Sequence, residues 1–101
     1  MWIFCFFDLP TSTKSQRKRA SKFRHDLIED GFTMMQFSVY TRHCGSFEAA
    51  TVHINRIKRI IPKEGIVSIL KFTDKQFSDI ENFIGALPVK AKKTPEQLEF
   101  F

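Results

Sequence analysis

The chain has 101 residues, enough for one small domain with a single core layer. Sixteen Lys and Arg stand against eleven Asp and Glu, a formal charge of +5 that favours an anionic partner, nucleic acid being the commonest. Two cysteines exclude a disulfide framework, no apolar run approaches membrane-spanning length and no secretory leader is visible, so the chain is expected in the cytoplasm.

Trp2 to Phe7 is apolar on both alternating faces, Trp2, Phe4 and Phe6 one way and Ile3, Cys5 and Phe7 the other. That pattern predicts a central strand buried on both sides, in which Cys5 acts as a small hydrophobe. The strand emerges at Asp8, and Leu9-Pro10 ends it because Pro10 has no N–H for a ladder. An acid at the end of a central strand, facing a basic helix, is where a site is expected. Its plainer role is to cap the turn or pair with an arginine.

Thr13-Lys14-Ser15-Gln16 has the form of a capping box and predicts a helix to about Asp30. Ala20, Phe23, Leu27 and Ile28 form its apolar stripe. Lys14, Arg17, Lys18, Arg19, Lys22 and Arg24 take most of the rest, and no acid occurs between Leu9 and His25. Gly31 is the expected C-terminal cap residue. Glu29 and Asp30 oppose the helix dipole there, with solvation as their only evident role.

Phe32 to His43 reads as extended, either one long strand or two short ones bent near Gln36. His43-Cys44 has no second ligand pair at metal spacing, which argues against zinc. Ser46 is the N-cap of a second helix with a stripe of Ala50, His53 or Ile54, Ile57 and Ile61. Arg56, Lys58 and Arg59 sit near its C-terminus, where cations are favourable. His53 reads as a packed or surface histidine.

Pro62 to Gly65 forms the next turn, and Ile66 to Phe72 a second apolar strand. Thr73-Asp74-Lys75-Gln76 repeats the capping-box pattern and opens a short helix that packs through Phe77. Ile80 to Ile84 is expected as a last core strand ended by Gly85, and Leu87 to Pro95 as a linker. The apolar end, with Leu98, Phe100 and Phe101, is expected to dock on a sheet edge or a partner subunit. Twelve phenylalanines are many for this length and point to an oligomer. The mixture of elements fits an α+β sandwich with helices on one face of the sheet.

Phe6-Phe7-Asp8-Leu9-Pro10, a basic helix with Arg17 and Phe23, Gly31-Phe32, Gln36-x-Ser38-Val39-Tyr40 and Thr73-Asp74-Lys75-Gln76-Phe77 follow one another along nearly the whole chain. This ordered set resembles the smaller of the two universal CRISPR adaptation proteins, the family called Cas two. The Thr-Asp-Lys-Gln stretch and the Leu-Glu-Phe-Phe tail look most like members that accompany type II systems. The resemblance implies a ferredoxin-like βαββαβ sandwich over residues 1–86, with Phe32–His43 supplying two short strands, and a linker and docking tail over 87–101. It also implies a homodimer with sheets face to face, the last strand and tail exchanged between subunits.

Two roles come with the resemblance. In the family the dimer bridges dimers of the CRISPR integrase subunit and holds prespacer duplex DNA for spacer acquisition. Several members are described as metal-dependent nucleases on RNA or DNA, in which the acid after the first strand, here Asp8, binds magnesium or another divalent cation. A single Asp8 is a thin catalytic and metal site, since magnesium takes one or two carboxylates and keeps several waters. A two-fold dimer would bring two copies together. Lys14, Arg17 and Lys18, with Arg19 and Lys22, are the candidate nucleic-acid contacts, because helix N-terminal amides also favour phosphate. Such contacts hold the backbone and carry little sequence information. Arg42, Arg56 and Arg59 are second-tier candidates.

Overall fold

The computed structural model describes residues 1–89, in the order β1 (Trp2–Asp8), α1 (Lys14–Glu29), β2 (Thr33–Gln36), β3 (Val39–His43), α2 (Phe47–Lys58), β4 (Ile66–Phe72), α3 (Asp74–Ser78), β5 (Asn82–Ile84) and β6 (Leu87–Val89). The expected docking residues Leu98, Phe100 and Phe101 lie outside the described residues. β1 pairs antiparallel with both β3 and β4, giving a four-stranded sheet in the order β2-β3-β1-β4. This is the α+β, ferredoxin-like βαββαβ arrangement. No helix among the described residues is long and apolar enough to cross a membrane.

The two-residue period of β1 divides the core. Ile3, Cys5 and Phe7 lie beneath the helices with Phe23, Leu27, Ala50 and Ile57. The Phe7 and Phe23 rings meet edge to face at 5.0 Å. Burial pushes the Cys5 thiol up to about 12, so it packs as a hydrophobe and is not a nucleophile near neutral pH. On the other face Trp2 and Phe4 pack with Phe77 of α3, the Trp2 and Phe77 rings stacked at 3.7 Å.

The capping signals act as written. Thr13 Oγ1 accepts from the Gln16 amide at 3.1 Å, and Gln16 Oε1 accepts from the Thr13 amide at 3.0 Å. Thr73 and Gln76 repeat the pair, and Ser46 Oγ accepts from the Ala49 amide. Gly31 follows α1 with φ of 91°, a left-handed geometry that favours glycine.

Four expectations are corrected. Ile28 is exposed, because the sheet takes only the Ala20, Phe23 and Leu27 edge of α1. Ile61 lies beyond the end of α2 and is also exposed. Ile80–Ile84 is not a core strand: Asn82–Ile84 pairs with Leu87–Val89, read from sequence as linker, in a separate hairpin. Gly85, at φ of 62°, makes the tight turn that lets these two segments find each other locally. Asp30 is not merely solvated either. Its Oδ2 lies 2.8 Å from His53 Nδ1 and its Oδ1 accepts from Arg56 Nη1 at 2.8 Å, clamping the end of α1 to α2. Burial pushes the Asp30 carboxyl up, but the bonds from His53 and Arg56 outweigh it and leave its pKa below the usual value.

Candidate functional site

Asp8 ends β1 on the same face as Trp2, Phe4 and Phe6, with Ile66 opposite it in β4. α1 packs on the other face, over Phe7. Asp8 therefore does not face the basic helix, as the sequence suggested. One residue of strand register decides this, since neighbouring side chains point to opposite faces. Among the described residues the Asp8 carboxylate makes no ion pair and no side-chain hydrogen bond, so it neither caps the turn nor pairs with an arginine.

The carboxylate borders an open hollow of about 270 Å³, which Phe6, Phe37, Ser38, Ile66 and Ser68 also line. Behind it, Gly65 has φ of 91°, and a Cβ there would stand 2.6 Å from the Asp8 carbonyl oxygen. Glycine thus lets the start of β4 close onto the end of β1. The sheet beside the hollow is apolar and open: Phe6 is 37% exposed, Leu70 39%, Ile66 68% and Phe37 78%.

No group of three His, Cys, Asp or Glu among the described residues is arranged to hold a metal ion. Ser38 and Ser68 line the same hollow, and Asp8 would supply one of the one or two carboxylates that a hydrated magnesium ion takes. One copy of this surface does not complete such a site.

The basic candidates on α1 fall into two groups. Arg17 Nη1 donates to the Thr11 and Ser12 carbonyls at 3.0 and 3.2 Å, Arg19 pairs with Glu64 at 2.6 Å, and Lys22 pairs with Asp26 at 2.9 Å. Lys14 and Lys18 are exposed and make no ion pair among the described residues. Gln16 and Arg19 bond Glu64, the neighbour of Gly65, so the start of α1 and Asp8 share one end of the sheet on opposite faces. Arg56 is committed to Asp30, and Arg42 donates to the His43 carbonyl.

A model of the CRISPR-associated protein Cas2 family matches residues 1–80. The chain belongs to the Cas2 family. It is 50% identical over 101 residues to the CRISPR-associated endoribonuclease Cas2 of Flavobacterium psychrophilum, spanning 100% of this chain and 88% of that one. The protein of the same name from Parvibaculum lavamentivorans is 48% identical over the full length of both chains. That of Campylobacter jejuni is 41% identical over 95% of this chain and 67% of its own.

For a Cas2 chain, the arrangement separates two chemistries. An uncommitted carboxylate lies on the open sheet face, and a basic helix lies on the covered one. Sequence reasoning did not single out Arg24, which reaches the β2–β3 turn beside the hollow. Arg24 Nη2 makes a long bond of 3.4 Å to Ser38 Oγ, and the guanidinium lies 4.8 Å from the Phe37 ring centre. Its position among five other Lys and Arg residues on α1 hid it; only its stacking partner in the β2–β3 turn sets it apart.

Proposed function

We propose that this Cas2 chain is a metal-dependent endoribonuclease that cleaves phosphodiester bonds of single-stranded RNA through Asp8. The observation that carries this is the exposed Asp8 carboxylate, uncommitted among the described residues, at the rim of a hollow that Ser38 and Ser68 also line. The name shared by the relatives supports it. The functional unit is a homodimer in which the open apolar faces cover each other, since exposed apolar area of this kind marks an interaction site. A two-fold axis there would set the two Asp8 carboxylates toward one shared cation. That cation, Mg²⁺ or another divalent ion, would activate water and stabilise charge on the phosphorane. Asp8 would hold it, Gly65 would keep the Asp8 backbone in place, and the apolar walls would limit access of bulk water.

A second reading is favoured by the placement of Lys14 and Lys18 on the face away from Asp8. In it the dimer is a spacer-acquisition subunit that bridges CRISPR integrase dimers. Lys14, Arg17, Lys18, Arg19 and Lys22 then hold the backbone of duplex DNA, and the tail with Leu98, Phe100 and Phe101 docks a partner. The two readings separate on Asp8→Ala. The nuclease reading expects loss of Mg²⁺-dependent RNA cleavage with the dimer and duplex binding intact. Cleavage that survives in the purified variant removes Asp8 from the chemistry and leaves the DNA-holding role.

A further inference from the structure

The β2–β3 connection is only Phe37 and Ser38, and Ser38 adopts φ of 64°. It is the sole non-glycine residue with positive φ among the described residues. Glycine or asparagine would suit this position of a tight turn better, and a serine there carries strain of about 1 kcal/mol or more. The backbone bond at this point, from the Phe7 amide to the Ser38 carbonyl at 3.1 Å, needs no particular side chain. What serine adds is a hydroxyl.

Arg24 treats that hydroxyl as an acceptor. Its Nη2 donates to Ser38 Oγ at 3.4 Å while the guanidinium stacks against Phe37 and lies 5.5 Å from the Phe7 ring centre. Its Nε is buried without a partner, so its place is set by stacking more than by hydrogen bonding. A hydroxyl has one proton and two lone pairs. With a cation on a lone pair, the Ser38 proton is left for another acceptor, and among the described residues none takes it. Ser38 lines the hollow that Asp8 borders.

We propose that the Ser38 hydroxyl donates to a non-bridging phosphate oxygen of a nucleic-acid strand entering the Asp8 hollow, and that Arg24 is the positioning residue that acts through it. This rests on the reading of that hollow as the nucleic-acid site. Arg24 orients the hydroxyl, strengthens it as a donor and holds the strained turn against the end of β1. Proton transfer forms no part of the role; Ser38 binds and orients.

The test is Ser38→Gly, which removes the hydroxyl and supplies the residue that the backbone prefers. The probe is a short fluorescent single-stranded RNA with 2′-O-methyl groups, followed by anisotropy with Mg²⁺ present. The dissociation constant should rise roughly tenfold, the worth of one hydrogen bond to a charged group. The melting temperature should stay level or rise. Arg24→Gln should weaken binding in the parent chain and add nothing in the Ser38→Gly background, since residues acting through one contact are non-additive. Arg24→Lys, which restores a cationic donor, should recover part of the loss.

Unchanged binding by Ser38→Gly overturns the proposal, and additive losses in the double variant overturn the role of Arg24. Should Asp8→Ala stop cleavage while Ser38→Gly binds and cleaves as the parent does, this inference alone falls. Should cleavage also survive Asp8→Ala, or the parent fail to bind the probe, the reading of the hollow falls with it.

Discussion

Gly65 lies so close to Asp8 that a Cβ on it would stand 2.6 Å from the Asp8 carbonyl oxygen and 3.1 Å from Leu9 Cα. Both obstacles are backbone and cannot swing aside. Gly65→Ala adds this overlap to the strain of a left-handed φ, about 1 to 2 kcal/mol by itself. The melting temperature should fall by roughly 4 °C or more. Cleavage should fall with it even at temperatures where the variant is fully folded, because the end of β1 must shift. A folded Gly65→Ala variant with parental cleavage would show that the position of Asp8 does not matter to the chemistry.

The Asp30 clamp predicts a pH dependence of stability. Its carboxyl pKa is depressed in the folded chain, so the unfolded state takes up a proton first as pH falls. The stabilisation is therefore complete above the ordinary carboxylate value, about 4, and is lost as pH falls through the lower folded value. Asp30→Asn should destabilise the chain by about 2 kcal/mol at pH 7, since charged hydrogen bonds to His53 and Arg56 are weakened. It should also flatten the acid limb of the stability curve. Urea titrations of both proteins across that pH range measure the difference directly.

Lys14 and Lys18 are the α1 candidates with neither an ion pair nor a side-chain hydrogen bond among the described residues, whereas Arg19 and Lys22 have acidic partners and Arg17 holds two backbone carbonyls. Duplex DNA held by the start of α1 should therefore respond most to the Lys14→Gln, Lys18→Gln pair. The slope of log affinity against log salt should shrink by about 2, near 0.9 for each phosphate contact removed. Arg17→Gln should behave differently: it releases the Thr11 and Ser12 carbonyls and loosens the β1–α1 turn, which a small loss of melting temperature would reveal. Equal effects from Lys22→Gln and the lysine pair would mean a diffuse charge effect in place of a localised contact.

Leu70 and Phe6 belong to the open sheet face that the homodimer would cover. Leu70→Glu places a charge there at little expense to the single chain, because Leu70 is partly exposed. Sedimentation should give a dimer for the parent and a monomer for the variant, with circular dichroism unchanged. RNA cleavage should disappear together with the dimer if the cation is shared between two Asp8 residues.

Much of this molecule is local and so was legible in the residues alone. The Thr13, Ser46 and Thr73 caps, the Gly31 stop and the central place of Trp2–Phe7 rest on bonds within a few residues or on a two-residue period. The ordered motifs from Phe6 to Phe77 carried the family, and with it the fold. What neighbouring residues do not determine is which charges meet across elements. Asp30 finds His53 and Arg56, Arg19 finds Glu64, and Arg24 reaches Ser38, over separations that periodicity does not see. The face on which Asp8 emerges was also a tertiary matter. Strand alternation set Asp8 opposite Phe7, and only the docking of Phe23 onto Phe7 decided that the basic helix covers the other side.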